Sequence, residues 1–398
     1  MDDLKKRALD YHQFPIPGKL SVEPSKPCAT QDDLSLAYTP GVAEPVREIH
    51  ADPANAYKYT NKGNLVAVIT DGTAVLGLGN MGALASKPVM EGKAVLFKRF
   101  AGIDVFDIEI NAATPDEFIQ TVVNIAPTFG GINLEDIAAP HCFYIENELK
   151  KRLDIPVFHD DQHGTAVIVA AALLNALELQ GKTLPIAKIV FLGAGAAGCS
   201  CAKLLKLMGA TNITMVDKTG VIDTSRADLH DNNRELAIAP GDAKTLADVM
   251  PDCDVFIGVS AKNALDATLI KSMAKNPIIF ALANPDPEVL PSVAHAIRDD
   301  ILMATGRSDF PNQVNNALCF PYLFRGALDA KATKITEKMK IAAAHALSEL
   351  AREPVPVDVL QAYNLQALEF GKNYIIPKPF DKRLLARVSG AVAIAAME

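Results

Sequence analysis

A glycine-rich turn between a strand and a helix limits the possible folds of this chain more than any other feature does. The stretch "AKIVFLGAGAAG", residues 187–198, carries the pattern G-x-G-x-x-G at Gly193, Gly195 and Gly198. A helical segment, "CAKLLKLMGA", and a second apolar strand, "NITMVD", follow it. Strand, glycine turn, helix and strand in this order are typical of a parallel sheet that helices cover on both faces. We therefore predict an α/β fold.

The same segment predicts a Rossmann-type dinucleotide site, because glycines at these positions let a pyrophosphate approach a helix N-terminus. The backbone positions concerned are Gly193, Ala194, Gly195, Ala196, Ala197 and Gly198. Asp217 ends the next strand, roughly 20 residues beyond the glycines, where a carboxylate meets a ribose hydroxyl. Asp217 favours NAD because it repels a 2′-phosphate, whereas the adjacent Lys218 could bind that phosphate. The sequence leaves the choice between NADP and NAD open.

An upstream glycine pattern occurs at Gly77, Gly79 and Gly82. Pro88 follows it closely, and no helix, strand and acid complete a dinucleotide unit. We interpret this pattern as a close-packed turn near the active site, and a purely structural role is equally compatible with it.

The pattern of apolar runs predicts two domains. The runs at 64–70 and 74–79, and two more within "KAVLFKRFAGIDVFDIEI" at 93–110, indicate strands. We assign residues 1–155 to an N-terminal α/β domain. Residues 156–398 form the NAD(P)-binding domain with a C-terminal helical extension.

Two pairs of adjacent acids end apolar stretches, Glu135 and Asp136 in "GGINLEDI" and Asp160 and Asp161 in "FHDDQHGT". Four carboxylates would select a hard divalent cation, Mg²⁺ or Mn²⁺. Taken singly, each pair is more typical of a helix cap, since an aspartate at a strand-to-helix junction is usually one. His159 and His163, four residues apart, could instead suggest zinc, but the segment around them looks extended and contains no H-E-x-x-H motif, so zinc is disfavoured.

Two further side chains are candidates for acid–base chemistry. Tyr38 precedes a Thr-Pro-Gly turn, which would fix the direction of its ring. Lys93 begins the apolar run "AVLF", where burial would lower its pKa. On the residues alone, a packed tyrosine and a surface lysine are the more ordinary interpretations.

Composition excludes several classes of partner. The formal net charge is −8 and the pI is about 5.6, and without a long basic run the chain is not predicted to bind nucleic acid. No uninterrupted apolar segment reaches the ~18 residues of a membrane span, so no membrane partner is predicted. Six cysteines without a C-x-x-C pair indicate reduced thiols. We expect a soluble cytoplasmic protein.

Several motifs together resemble the malic enzyme family in its short bacterial form. They are "LAYTPGVAEP", "DGTAVLGLGNMGALA", "PVMEGKAVLFKRFAGID", "GGINLEDI", "FHDDQHGTA", "FALANPDPE" and "PNQVNNALCFP". They occur in the family's order along nearly the whole chain. The chain also resembles the malic-enzyme half of bacterial hybrid proteins, in which a phosphotransacetylase-like domain follows. We therefore expect either a natural short enzyme or a portion of a longer one.

The resemblance implies oxidative decarboxylation of (S)-malate to pyruvate and CO₂, with NADP⁺ or NAD⁺ as hydride acceptor and Mg²⁺ or Mn²⁺ as Lewis acid. It implies that Lys93 is the general base and Tyr38 the general acid. Asp160 matches an acid that tunes the lysine. The implied metal ligands are Glu135, Asp136 and Asp161, and the histidines match no catalytic position.

The resemblance also implies residues that recognise the substrate. Asn284 in "ALANP", which would also border the cofactor, and either Asn315 or Asn316 match positions that bind a malate carboxylate. Ala74 departs from the long eukaryotic form, which has an arginine there that grips the substrate. Asn284 and Asn315 would then carry more of the recognition.

Three rival functions are compatible with parts of this pattern. An oxaloacetate decarboxylase of the same fold would need no net redox step, which the intact glycine turn and Asp217 weigh against. A non-catalytic nucleotide-binding regulatory module would have lost Tyr38, Lys93 or the acids, and all are present. A malolactic activity is less favoured in the short form.

The resemblance implies a homodimer or a higher homo-oligomer, with helices within 1–14 and 331–370 as candidate contacts.

Overall fold

Two parallel sheets organise this protein, whose computed structural model describes residues 2–398. The first sheet has four strands in the order β2-β1-β3-β4, all parallel. Its strands are β1 Leu65–Thr70, β2 Asp104–Glu109, β3 Gly131–Leu134 and β4 Val157–His159. The second sheet has six strands in the order β10-β9-β8-β5-β6-β7, and only β7 is antiparallel. Its strands are β5 Ile189–Leu192, β6 Ile213–Asp217, β7 Gly220–Val221, β8 Val255–Gly258, β9 Ile278–Ala281 and β10 Leu302–Thr305.

Helices cover the sheets and form both ends of the chain. They are α1 Asp2–Gln13, α2 Gln31–Ala37, α3 Ala43–Ala51, α4 Ala56–Tyr59, α5 Ala83–Ala101, α6 Pro115–Ile125, α7 His141–Arg152, α8 Thr165–Leu179, α9 Ala196–Leu207, α10 Asp231–Arg234, α11 Leu246–Val249, α12 Ala267–Ser272, α13 Pro291–Ile297, α14 Phe320–Asp329, α15 Glu337–Leu350, α16 Val357–Ala362 and α17 Arg383–Met397. Short 3₁₀ helices lie at Pro53–Asn55, Asn61–Asn64, Ala126–Thr128 and Asn316–Leu318. A π-helical turn, Asp160–Gly164, joins β4 to α8.

The central strands are apolar on both sides, as expected for parallel sheets buried between helices. All six residues of β1 are buried. In β8, Val255 and Ile257 pack into a core shared with the first sheet, whereas Phe256 packs into a separate cluster on the opposite face. The predicted α/β fold with a Rossmann-type second domain is confirmed.

Two predicted strands are wrong. Residues 74–79 form a tight loop closed by a bridge between Val75 and Gly79. Residues 93–101 belong to α5, which follows the upstream glycine pattern and continues through Pro88. The buried residues of α5 recur every three or four positions, so a helix buries them on one face while a strand would split them. They are Ser86, Met90, Ala94, Phe97 and Ala101.

Helix α8 lies in the core and packs against α9 and α15. The segment Asp160–Leu179 is long and apolar enough to cross a membrane, but its most apolar window is 72% buried inside the protein. The predicted domain division between residues 155 and 156 stays a prediction. Strand β4 lies beyond that division and pairs with β3 of the first sheet.

The segment before β1 is more exposed to solvent than the rest of the chain. Among the residues that the structure describes, none before Leu65 is buried. Helices α2, α3 and α4 therefore contribute nothing to the core of the single chain. Many of their apolar side chains face outward.

Asn175 ties α8 to the C-terminal part of the chain. It is fully buried, and its Nδ2 donates to the carbonyl oxygens of Ser348 and Ile375, both at 2.9 Å. Its Oδ1 accepts from Ser348 Oγ and from Arg352 Nε, again at 2.9 Å. The hydrogen-bonding capacity of the amide is thus fully used.

We expect the substitution Asn175→Ala to lower the free energy of unfolding by about 2–4 kcal/mol, because several buried polar partners lose their hydrogen bonds at about 1–3 kcal/mol each. Urea unfolding followed by circular dichroism measures this. Asn124→Ala on the exposed face of α6 is the control and should change stability by less than about 0.5 kcal/mol. Equal effects at both positions would contradict the role given to Asn175.

Candidate active site

The predicted site residues follow the carboxyl ends of parallel strands, which is where ligands bind in open α/β sheets. In the first sheet, Glu135 and Asp136 follow β3, and Asp160 and Asp161 follow β4. Strands β3 and β4 are neighbours, so the two acid pairs meet at one edge. In the second sheet, the glycine turn follows β5, Asp217 ends β6, Asn284 follows β9, and Asn315 and Asn316 follow β10.

Three of these acids form a compact group, which we call the acidic cluster: Glu135, Asp136 and Asp161. Their ligand oxygens lie within 4.8 Å of one another. The Asp136 N–H donates to Asp161 Oδ2 at 2.8 Å, and Asp136 Oδ2 is buried without a hydrogen-bond partner in residues 2–398. Burial and the neighbouring Asp161 raise the pKa of Asp136 to about 7, and burial also raises the pKa of Glu135 well above its usual range. Crowded, desolvated carboxylates with an unused oxygen fit a hard divalent cation.

Lys93, on α5, reaches this edge from the side. Its Nζ lies 2.7 Å from Asp160 Oδ2 and 2.7 Å from Glu135 Oε1, and 4.3 Å from the ring centroid of Phe320. Burial lowers the pKa of Lys93, but the carboxylates of Asp160, Glu135 and Asp161 outweigh burial and raise it above its usual value. The expected lowering of this pKa is therefore wrong for this arrangement, because the apolar run "AVLF" gave no sign of the facing acids.

Asp160 is fully buried and joins Lys93 to Asn316. Asn316 Nδ2 donates to Asp160 Oδ2 at 3.0 Å, and Asn316 Oδ1 accepts from Thr165 Oγ1 at 3.2 Å. The neighbouring Asn315 has a different contact, since its Oδ1 accepts from the Ala317 N–H at 2.9 Å. The structure thus connects Asn316, and not Asn315, to the Lys93–Asp160 pair.

The upstream glycine pattern lies against the same edge. The Ala74 N–H donates to the Asp136 carbonyl oxygen at 2.9 Å. A Cβ on Gly77 would overlap the carbonyl oxygen of Asn284, and a Cβ on Gly306 would lie 2.8 Å from Asn284 Nδ2. Side chains are excluded at these glycines, so the loops pack directly onto Asn284 and the acidic cluster.

The glycine turn has the form that a dinucleotide requires. Gly193 has a φ of +114°, and a Cβ on Gly198 would overlap the Gly193 carbonyl oxygen. A Cβ on Gly195 would meet no atom within 4 Å, so this position faces open space. In residues 2–398 no side chain caps the N-terminus of α9, which leaves its first-turn N–H groups for a pyrophosphate.

The carboxylate of Asp217, at the end of β6, already accepts hydrogen bonds from other groups of the protein. Arg226 donates to both of its oxygens, at 2.9 and 2.8 Å, and also grips Asp228 at 2.9 and 2.7 Å. The Thr219 N–H adds a bond to Asp217 at 2.8 Å, while Lys218 is exposed. Arg226 is not among the residues predicted from the sequence, where an arginine shortly after the acid is its sole signal.

Tyr38 lies at the end of α2, in the segment without buried residues. Its side chain is 68% exposed. No hydrogen bond in residues 2–398 joins its hydroxyl to Lys93 or to the acidic cluster. The structure of the single chain brings Lys93, Asp160 and the acids together, and it leaves Tyr38 at the surface.

Comparison with known proteins gives the family. The model of the malic enzyme N-terminal domain matches residues 17–115 and 111–150, and that of the malic enzyme NAD-binding domain matches residues 162–360. The NADP-dependent malic enzyme of Halomonas elongata is 60% identical over 100% of this chain and 95% of its own length. The NAD-dependent malic enzyme of Rhizobium meliloti is 55% identical over 100% of this chain and 52% of its own length.

Solved structures agree. The crystal structure of malic enzyme from Pyrococcus horikoshii has a TM-score of 0.90 and 44% identity, and the match covers 99% of this chain and 90% of that one. This chain spans about half the length of several other curated relatives. The matches to both domain models, in order along the chain, and the high identity to full-length relatives show that the chain belongs to the malic enzyme family.

Proposed function

We propose that this chain converts (S)-malate to pyruvate and CO₂ with transfer of a hydride to NADP⁺ or NAD⁺. The observation that carries this proposal is the position of Lys93, held by Asp160 and Glu135 beside the acidic cluster. The glycine turn, with its open position at Gly195, supports a dinucleotide as the hydride acceptor. Family membership supports the same reaction.

Lys93 and Tyr38 would carry out the two proton transfers of the reaction. A Mg²⁺ or Mn²⁺ ion on Glu135, Asp136 and Asp161 would act as a Lewis acid for the substrate oxygens and offset the negative charge around Lys93. With that negative charge offset, the pKa of Lys93 would fall, and the neutral amine would take the hydroxyl proton of malate as the hydride leaves C2. After CO₂ departs, Tyr38 gives a proton to C3 of the enolpyruvate. The proton count balances, since Lys93 gains one proton from the malate hydroxyl and Tyr38 gives one proton to C3.

Asparagines would hold the substrate carboxylates. Asn284 lies between the tightly packed Gly77 and Gly306, which limits its movement. The Nδ2 of Asn316 is used by Asp160, whereas Asn315 uses only its oxygen in a cap. We therefore assign Asn284 and Asn315 to malate, and Asn316 to the orientation of Asp160.

We expect reduced nicotinamide to form from (S)-malate in the presence of Mn²⁺, and EDTA to abolish the reaction because the Lewis acid is removed. Absorbance of the reduced cofactor measures this, with NADP⁺ and NAD⁺ in parallel. CO₂ release from oxaloacetate without cofactor reduction from malate would instead identify a decarboxylase. Cofactor binding with neither activity would identify a regulatory module.

The pairing of Arg226 with Asp217 supports NADP⁺ as the preferred cofactor. The guanidinium, which it shares with Asp228, offsets part of the negative charge of the carboxylate that would repel a 2′-phosphate. Arg226 thus places a positive charge at the end of β6, where the adenine ribose lies in Rossmann-type domains. Lys218, exposed beside it, adds positive charge.

We expect Arg226→Gln to lower kcat/KM for NADP⁺ by about 10- to 100-fold, since a charge-assisted hydrogen bond contributes about 1.5–3 kcal/mol. The value for NAD⁺ should change much less, because Asp217 becomes free to accept from a ribose hydroxyl. Initial rates with each cofactor at saturating malate measure this. The matched control is Arg152→Gln on α7, where the arginine pairs with Glu148 at the surface. An equal loss with both cofactors would argue against Arg226 as a specificity residue.

The uncovered N-terminal segment supports a homodimer. No described residue before Leu65 is buried, and the segment exposes many large apolar side chains. An exposed apolar surface of this extent marks a contact with another protein surface. Its exposed large apolar residues are Leu4, Leu9, Tyr11, Phe14, Ile16, Leu20, Val22, Leu34, Leu36, Tyr38, Val42, Val46, Tyr57 and Tyr59. We assign a second copy of the chain as the cover, because the proposed general acid Tyr38 lies on this surface and needs a site to act on. A cytoplasmic location and a following phosphotransacetylase-like domain stay predictions.

We expect a dimer by light scattering, and we expect mixed dimers of Tyr38→Phe and Lys93→Met to regain activity that each variant alone has lost. If Tyr38 serves the site of the other copy, one site of a mixed dimer is intact. Two affinity tags purify the mixed form, and malate oxidation is the measurement. A monomer would contradict the proposed cover, and inactive mixed dimers would place Tyr38 in the site of its own chain.

A further inference from the structure

A buried glutamate on α7 holds the turn that carries Asp160 and Asp161. The side chain of Glu146 is 4% exposed. Its Oε1 accepts the His159 N–H at 3.2 Å, and its Oε2 lies 2.9 Å from His163 Nε2. One carboxylate therefore binds the residue before the two aspartates and the second residue after them.

Basic groups complete this network. Lys150 Nζ lies 2.7 Å from Glu146 Oε1. Lys340, which is 2% exposed, places its Nζ 3.1 Å from His163 Nδ1 and 2.6 Å from Glu337 Oε1. An ammonium group is only a donor, so His163 Nδ1 accepts and its Nε2 carries the hydrogen that Glu146 accepts. Burial raises the pKa of Glu146, but His163 and Lys150 outweigh it and hold that pKa well below its usual range.

The turn itself has a form that needs outside support. Residues Asp160–Gly164 make a π-helical turn, which is rare and less favourable than an α-helical one. A Cβ on Gly164 would overlap Asp160 Oδ1, so the carboxylate folds back over the glycine. Small changes in this turn would move Asp160 relative to Lys93 and Asp161 relative to Glu135.

Glu146 is also reachable from outside the proposed active site. A cavity of about 390 Å³ is lined by Glu146, His163, Gln162 and Lys340, together with residues of α9. The lysines in it are paired with carboxylates, so the cavity assigns no ligand of its own. It is large enough to admit a small carboxylate such as formate or acetate.

We propose that Glu146 is a positioning residue for the reaction, which fixes the turn so that Asp161 reaches the cation and Asp160 reaches Lys93. This inference rests on the proposed function for its meaning, but it can be tested without malate. Partners that orient metal ligands typically contribute a factor of about 10–100 in metal affinity. Glu146 should therefore affect Mn²⁺ binding while leaving the dinucleotide site unchanged.

The test uses Glu146→Gln and Glu146→Ala in the full chain, with Glu148→Gln as the control. Glu148 lies on the same helix, and within residues 2–398 its ion pairs are those with Lys151 and Arg152 near the surface. We expect Glu146→Gln to weaken Mn²⁺ binding by about 10- to 100-fold, measured by the electron paramagnetic resonance of free Mn²⁺ without substrate. NADPH binding, followed by its fluorescence, should match the unsubstituted protein. Formate should restore part of the Mn²⁺ affinity of Glu146→Ala through the cavity.

An unchanged Mn²⁺ affinity in Glu146→Gln overturns the proposal, and so does a loss of stability without a loss of affinity. If Glu146→Ala fails to fold, the affinity of the glutamine variant alone decides. If the unsubstituted chain binds Mn²⁺ but oxidises no malate, the proposed function fails. The positioning role of Glu146 is then still tested by comparing the Mn²⁺ affinity of Glu146→Gln with that of the unsubstituted chain.

Discussion

The concentration of buried negative charge around Lys93 is the constraint on which the rest of this structure depends. Glu135, Asp136 and Asp160 lie where water cannot solvate them well, and burial of unpaired carboxylates costs several kcal/mol each. Lys93 offsets part of that cost through two contacts of 2.7 Å. Burial, together with repulsion from the neighbouring acids, raises the pKa of Glu135 and of Asp136, and a divalent cation would relieve that repulsion.

The fold keeps these charged groups together through close packing at glycines and through buried ion pairs, which add little to the stability of the folded state. Residues at the carboxyl ends of β3 and β4 meet because the strands are parallel neighbours. Gly77 and Gly164 lie where a side chain would collide with Asn284 and Asp160. Buried ion pairs of this kind contribute little net stability. The apolar core around α8 therefore supplies the stability that the charged edge does not.

Much of the fold and of the site could be predicted because their signals are local. The glycine turn, the acid pairs at strand ends and the family motifs each lie within a few neighbouring residues. Helix α5 was misread as a strand because its apolar run is short, and short runs do not distinguish the two structures. The sign of the pKa shift of Lys93 was missed because it depends on acids more than 40 residues away in the chain.

By itself the sequence determined the α/β class, the dinucleotide turn, the family and the set of chemically competent residues, since each follows from short patterns. Only the tertiary structure decided how these groups act on one another. It pairs Asp217 with Arg226, gives Asn315 and Asn316 different contacts, and places Glu146 against the turn that carries Asp160 and Asp161. Charge pairing and burial depend on distance in space, and separation along the chain does not reveal that distance.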